Sequence, residues 1–259
     1  MFAANDLQEQ SDQDLFNQIS DHYAKKDFVN STRIARHAIV RRALRPLLDQ
    51  SNSLGTVIDI GCGVGAQVEY LGNKFDRYIG VDYSEKLIEI GRRRFANRVD
   101  VELVAANIKE APLPEKSADT VLAVGALHHM TDLGGVMAAL RKVAKPSAYF
   151  VAIEPQRGNP LIQGMRRLRM KLDKNYSSDQ HFFSSAELLR VLDLVPMTNK
   201  QVEFQGFVVP PFSQAGIRPQ WIFLPISHLA VTVEPFIEKL CAGRLSRFSW
   251  NAVAYGQFD

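Results

Sequence analysis

The sequence predicts a doubly wound α/β fold: a mostly parallel, seven-stranded sheet with helices on both faces. Three observations carry that expectation. Short β-branched runs alternate with helix-period stretches between residues 54 and 155. The first run closes on a glycine-rich turn, VIDIGCGVG, that leads straight into a helical pattern. The second, YIGVD, ends on an acid, Asp82.

The elements follow in order. Residues 1–50 read as an N-terminal helical cap, with Val40, Leu44 and Leu47 on one face and Arg41, Arg42 and Arg45 on another. The core spans 54–155. TVIDI is its first strand, Ala66 to Leu71 starts a helix that Gly72 can cap, and YIGVD is the second strand. Ser84 stands as N-cap of a helix that turns Leu87, Ile88 and Phe95 inward. VELVAA is the third strand and DTVLAVG, after the turn-rich APLPEKS, the fourth. Thr131 or Asp132 caps a helix carrying Leu133, Val136, Met137, Leu140 and Val143 at helical spacing, Pro146 stops it, and AYFVAIE is the fifth strand. Right-handed crossovers then place a ligand outside the strand C-termini. Residues 156–200 form a basic helical segment that ends in SSAELLRVLDLV. Residues 201–259 form a terminal antiparallel hairpin, VEFQGFVV and WNAVAYGQF, with a helical insertion at about 211–246 between its strands. In that insertion Ile226, Leu229, Val233, Phe236, Ile237 and Leu240 keep helical spacing, with Glu234, Glu238 and Lys239 expected outside. Such a helix either completes the core or closes as a lid over the sheet's C-terminal edge.

Composition excludes several function classes. A net charge of +3 over 259 residues is small for a nucleic-acid binder. Cys62 and Cys241 are too few for a disulfide framework or metal cluster, and neither HExxH nor paired CxxC occurs, so no metal site is expected. The polar start, MFAANDLQEQSDQD, is unlike a secretory signal, and the apolar run WIFLPISHLAVTV is short for a membrane span and holds Pro225 and His228. A cytoplasmic protein without a transmembrane segment is expected. RRLRMKLDK has the composition of a peripheral contact with anionic lipid, but its charges do not keep to one face, and a solvated helix is the plainer reading.

The turn Asp59-x-Gly61-x-Gly63-x-Gly65 asks for a ligand that lies against bare backbone. Gly61-x-Gly63-x-x-Ala66 satisfies the loose dinucleotide fingerprint, which keeps an NAD-dependent oxidoreductase open. Two details oppose it. A carboxylate two residues before the first glycine repels a pyrophosphate, and the third glycine falls one place early. A phosphate-free, cationic nucleoside meets both objections, with Asp59 facing the positive charge and Asp82 the ribose hydroxyls.

On these motifs the sequence resembles the class I S-adenosylmethionine-dependent methyltransferases, in the small-molecule, quinone-biosynthesis-like "type 11" group. The likeness runs from about Asp21 to Glu154. VIDIGCGVG resembles the family's glycine motif, GVDYS its ribose-binding acid, NIKEAPLPEKSADTVLAVGALHHM its third- and fourth-strand segment, and LRKVAKPSAYFVAIEP the helix and strand that follow. The resemblance implies a Rossmann-like fold with S-adenosylmethionine as cofactor. Gly61, Cys62, Gly63 and Gly65 then line the methionine and ribose. Asp59 contacts the amino-acid part and Asp82 the ribose hydroxyls. Tyr83 flanks the adenine, with Asn107 and Ile108 beside it. Gly125 lies near the methionine end and Tyr23 closes over the cofactor. The family's usual glycine pair after the proline is here Ser147–Ala148.

His128 and His129 sit at the mouth of the implied site; either can orient the cofactor or take a proton from an acceptor, with His129 the better placed base. VGALHH lacks the Asn/Asp-Pro-Pro-aromatic turn of enzymes that methylate DNA bases, so DNA is not the expected acceptor. A small, partly apolar or lipid-like acceptor is. A non-catalytic binder of the same cofactor is the alternative, and the oligomeric state stays open.

Overall fold

The computed structural model describes residues 13–14, 17–18, 20, 29–160, 162–164, 182–214 and 218–259. Tyr23 and the basic stretch 166–174 lie outside the described residues.

One sheet of seven strands organises the chain, in the order β3-β2-β1-β4-β5-β7-β6. The strands are β1 (Thr56–Ile60), β2 (Arg77–Asp82), β3 (Val101–Ala105), β4 (Ala118–Val124), β5 (Ala144–Pro155), β6 (Met197–Gln205) and β7 (Asn251–Phe258). The first five pair in parallel. β7 is antiparallel to both its neighbours, β5 and β6, so the sheet is mixed. The late strands add at the β5 edge as an antiparallel pair, with β7, the later in sequence, inside and β6 as the rim. The chain reverses its winding between β1 and β4, which opens a crevice at their C-terminal ends.

Helices are α1 (Asn30–Ala43), α2 (Arg45–Leu48), α3 (Gln67–Leu71), α4 (Glu85–Arg94), α5 (Leu133–Val143), α6 (Ser185–Leu192), α7 (Pro210–Gln214) and α8 (Gln220–Leu240). Local chemistry fixes their ends. The Ser84 hydroxyl accepts from Leu87 N–H and Asp132 from Gly135 N–H, each such cap worth ~1 kcal/mol. Ser184 and Glu187 form a reciprocal capping box, and Gly72 closes α3 at a φ of 63°.

Strand parity splits the core. Ile58 and Ile60 face α5 and α6; Val57 and Tyr78 face the side covered by α1, α3 and α4. Val40, Leu44 and Leu47 of the N-terminal helices are buried on that second side. Side chains from the C-terminal part tie α1 down. Tyr255 donates to Ala43 O at 2.8 Å, Gln205 Nε2 to Ile39 O at 2.8 Å, and Ser227 to Ser31 O at 3.0 Å.

Helix α8 differs from its expected orientation. Its buried residues are Ser227, Ala230 and Glu234, while Ile226, Leu229, Phe236 and Leu240 are exposed. The reason is polar. The Glu234 carboxylate accepts from the backbone N–H groups of Phe207, Val208 and Val209 at 2.6, 2.9 and 2.6 Å, and Glu238 accepts from Gly206 N–H at 2.8 Å and pairs with Arg42. Four loop donors need acceptors, and leaving even one buried and unpaired costs about 1–3 kcal/mol. That demand turns the acids inward and the apolar stripe out.

Candidate functional site

A cavity of about 400 Å³ opens at the C-terminal ends of β1, β2 and β4. The first wall is the β1–α3 turn. Gly61 and Gly63 take φ values of 64° and 56°, and both line the cavity with backbone alone. A Cβ on Gly61 would sit 2.6 Å from that of Ala126, so the turn could not approach the β4 end with any side chain there.

Asp82 closes β2 and forms the second wall. Its Oδ2 accepts from Gly63 N–H at 2.8 Å and its Oδ1 from Ser84 N–H at 2.9 Å. The carboxylate therefore welds the glycine turn to the start of α4. Burial pushes its pKa up; the two N–H bonds and the nearby His129 oppose that rise. Tyr83, Leu87, Asn107 and Ile108 continue the wall, and Asn107 Oδ1 also accepts from Lys109 N–H at 3.1 Å. Gly125, Ala126, His129 and Met130 supply the β4 side. The N-terminal segment reaches over the rim: Gln13 lines the cavity and donates to Tyr83 O at 2.7 Å, and the Ser84 hydroxyl donates to Asn17 Oδ1 at 2.8 Å.

Of the residues expected at the site, the structure brings together Gly61, Gly63, Asp82, Tyr83, Asn107, Ile108, Gly125 and His129. It does not bring Asp59, Cys62, Gly65 or His128 to the cavity surface. Asp59 shares its strand face with Val57 and so points under the helices, where it is fully buried. Tyr78 donates its hydroxyl to Asp59 Oδ2, while Oδ1 has no hydrogen-bond partner among the described residues. Burial raises the Asp59 carboxyl to about 8, against the pull of the Tyr78 bond, and the Asp82 charge adds to the rise. Its buried position, away from the cavity surface, favours the protonated carboxyl there. Cys62 is buried with its Sγ in the place a Cβ on Gly80 would need, 2.7 Å away. Gly65, at φ 71°, lets the turn pack on Phe95 and Leu103.

His128 turns away from the cavity to Glu154, its Nδ1 lying 2.7 Å from Oε2. The other oxygen of Glu154 accepts from Ala126 and Leu127 N–H at 3.0 and 2.8 Å. This fully buried acid fixes the Leu127–His129 turn and so aims His129, whose ring lies 4.1 Å from that of His128, at the cavity. Sequence reasoning missed Glu154. The available signal was its position: it stands one residue before the end of β5, much as Asp82 ends β2.

The cavity wall carries three carboxylates, Asp82, Glu85 and Glu110, against one lysine, Lys109, which itself lies 3.6 Å from Asp132. A pyrophosphate meets repulsion on such a wall and a cation does not. The fit to a phosphate-free cationic nucleoside therefore stands, with the charge supplied from β2 and its neighbours.

Residues 58–152 match the family described as "Methyltransferase domain". This segment is a methyltransferase domain. The chain is 31% identical over 101 residues to a probable S-adenosylmethionine-dependent methyltransferase of Mycolicibacterium smegmatis, an alignment that covers 39% of this chain and 38% of that protein. It is 29% identical over 161 residues to a demethylmenaquinone methyltransferase of Anoxybacillus flavithermus, covering 60% of this chain and 65% of that protein. The alignments thus span less than two thirds of these relatives. The fold of the methyltransferase domain and its surroundings is similar to a solved Thermotoga maritima structure described as a possible histamine N-methyltransferase, with a TM-score of 0.63 at 18% identity over 95% of this chain and 98% of that one. S-adenosylmethionine is the cofactor that goes with such a domain, and the residues present fit it: bare glycine backbone, a strand-end carboxylate with spare lone pairs, and an acidic wall.

Proposed function

We propose that the chain transfers a methyl group from S-adenosylmethionine to a small, partly apolar or lipid-like acceptor. The observation that carries this reading is the Asp82 carboxylate, locked by two backbone N–H bonds at the edge of a cavity whose other wall is bare glycine. The cofactor, when bound, supplies an electrophilic methyl group on a positively charged sulfur.

The chain's own residues have three tasks. Asp82 accepts from the ribose hydroxyls through the lone pairs that Gly63 and Ser84 leave unused. Val81, Leu87 and Ile108 give the adenine an apolar slot, flanked by Tyr83 and Asn107. Gly61 and Gly125 leave room for the methionine end. His129 stands where the acceptor enters, and takes a proton from a hydroxyl or amine if the acceptor carries one. Alignment and exclusion of water then supply most of the rate. The demethylmenaquinone methyltransferase relatives support an acceptor with an apolar body.

The test is calorimetry with S-adenosylmethionine and its demethylated product, then incubation with labelled cofactor and fractionated cell extract. Binding at micromolar concentrations, with label in the organic-soluble fraction, is the expected result. Label in RNA or protein would overturn the acceptor class; silence in the calorimeter would overturn the reading as a whole.

A further inference from the structure

Helix α8 shows water an apolar stripe that is exposed along most of its length, with Val233 half-buried. Ile222, Ile226, Leu229, Val233, Phe236 and Leu240 recur at alternating spacings of four and three, and therefore share one face. Leu229, Phe236 and Leu240 are 62, 68 and 64% exposed, and Trp221 at the helix start is 78% exposed. Leu245 and Phe248, in the turn after the helix, are exposed too. Soluble proteins scatter single apolar residues over their surface; a continuous row with an aromatic at its end marks a contact surface. The row cannot roll inward, because Glu234 and Ser227 hold the opposite side to the loop at 207–209 and to α1.

The charges around the stripe choose its partner. The exposed ionised side chains of 218–250 are Arg218, Lys239, Arg244 and Arg247. Both acids of the segment are engaged, Glu234 with backbone donors and Glu238 with Gly206 and Arg42. On the flank facing α1, the charges are internally paired, Glu69 with Arg33 and Arg94, so that flank adds no free acid beside the row. An apolar row bordered by bases complements an anionic lipid surface, in which the row enters the acyl boundary and the bases stay among the phosphates. A symmetric pairing of two copies through this face would instead bring bases against bases. No helix among the described residues is long and apolar enough to cross a membrane, so a lipid contact of this helix is peripheral and not spanning.

We infer that the outward face of α8 is a membrane-docking surface for anionic lipid bilayers. The inference rests on this helix and the residues flanking it and not on the reaction proposed above; none of these residues lines the cavity. The experiment is flotation of the full chain with phosphatidylcholine vesicles, with and without about a third phosphatidylglycerol. The chain should float with the anionic vesicles and not with the neutral ones. Leu229→Gln with Phe236→Gln should weaken that partition by about tenfold or more, and Arg244→Gln with Arg247→Gln by about tenfold. All four positions are exposed, so circular dichroism and Tm should match the parent. Failure to float with anionic vesicles would overturn the inference, as would partition that the Leu229→Gln, Phe236→Gln pair leaves unchanged. A concentration-dependent dimer abolished by that pair, with no vesicle binding, would assign the face to self-association instead.

Discussion

Replacing Asp82 by Asn isolates the residue on which the cofactor reading depends. The carboxylate satisfies two backbone donors, Gly63 N–H at 2.8 Å and Ser84 N–H at 2.9 Å. An amide has one acceptor oxygen, so one of the two donors must face an NH₂ group. A buried donor left without an acceptor costs about 1–3 kcal/mol. Relief of the buried charge, whose pKa burial already pushes up, offsets part of this and favours the lower end. For a chain of this size Tm should fall by about 2–4 °C per kcal/mol. Binding should suffer more. Bonds from ribose hydroxyls to a carboxylate are worth about 1.5–3 kcal/mol each, against about 0.5–1.5 for neutral acceptors, so a loss near 2 kcal/mol predicts roughly thirtyfold weaker affinity. Isothermal titration with S-adenosylmethionine and its demethylated product, beside thermal melts, separates the two effects. Lower Tm with affinity within about threefold of the parent would refute the argument and reduce Asp82 to a clamp on the turn.

Further outcomes follow from the same geometry. Because the folded pKa of Asp59 is raised from 3.8 to about 8, its protonated form stabilises the fold fully below pH 4, and that stability is lost as pH rises toward 8; Asp59→Asn should flatten Tm against pH across this window. Gly61→Ala meets both a φ of 64° and an atom at 2.6 Å, whereas Gly72→Ala meets a φ of 63° and open space. Both lose about 1–2 kcal/mol to strain, but only the first should also weaken cofactor binding, about tenfold or more by calorimetry. Ser147 holds a φ of 64°, and Ser147→Gly should raise stability by about 0.5–1 kcal/mol in urea titrations. Glu154→Gln breaks the pairing with His128 and should lower Tm, while His129→Ala should leave Tm within about 2 °C and lower kcat. The reverse pattern would exchange their roles.

The five parallel strands were legible because each is a short run rich in β-branched residues, four of them closed by glycine, acid or proline, and the cap Ser84 and one of the two expected caps, Asp132, stand where the sequence puts them. The cavity was legible through Gly61, Gly63 and Asp82, since backbone access and a strand-end acid are local properties. The burial of Asp59 away from the cavity surface was not, because side-chain parity decides its face and the glycine motif draws attention to it regardless. The acids that do line the cavity, Asp82, Glu85 and Glu110, come from β2, α4 and a turn that no local window joins. Helix α8 was misjudged for a similar reason. Its apolar periodicity is real, but the need of Phe207, Val208 and Val209 for an acceptor is invisible until the loop is folded beside it.

The placement of β7 also bears on how the protein is made. Among the described residues β6 pairs in the sheet only with β7, which follows it by some forty-five residues in the chain. During vectorial synthesis the parallel half can close as soon as β5 leaves the ribosome, while β6 waits with both edges unpaired until the last strand slides in beside β5. A nascent chain of this protein therefore carries an open, amide-rich edge for several seconds at ordinary elongation rates, a period in which chaperones or neighbouring chains compete with its own final strand.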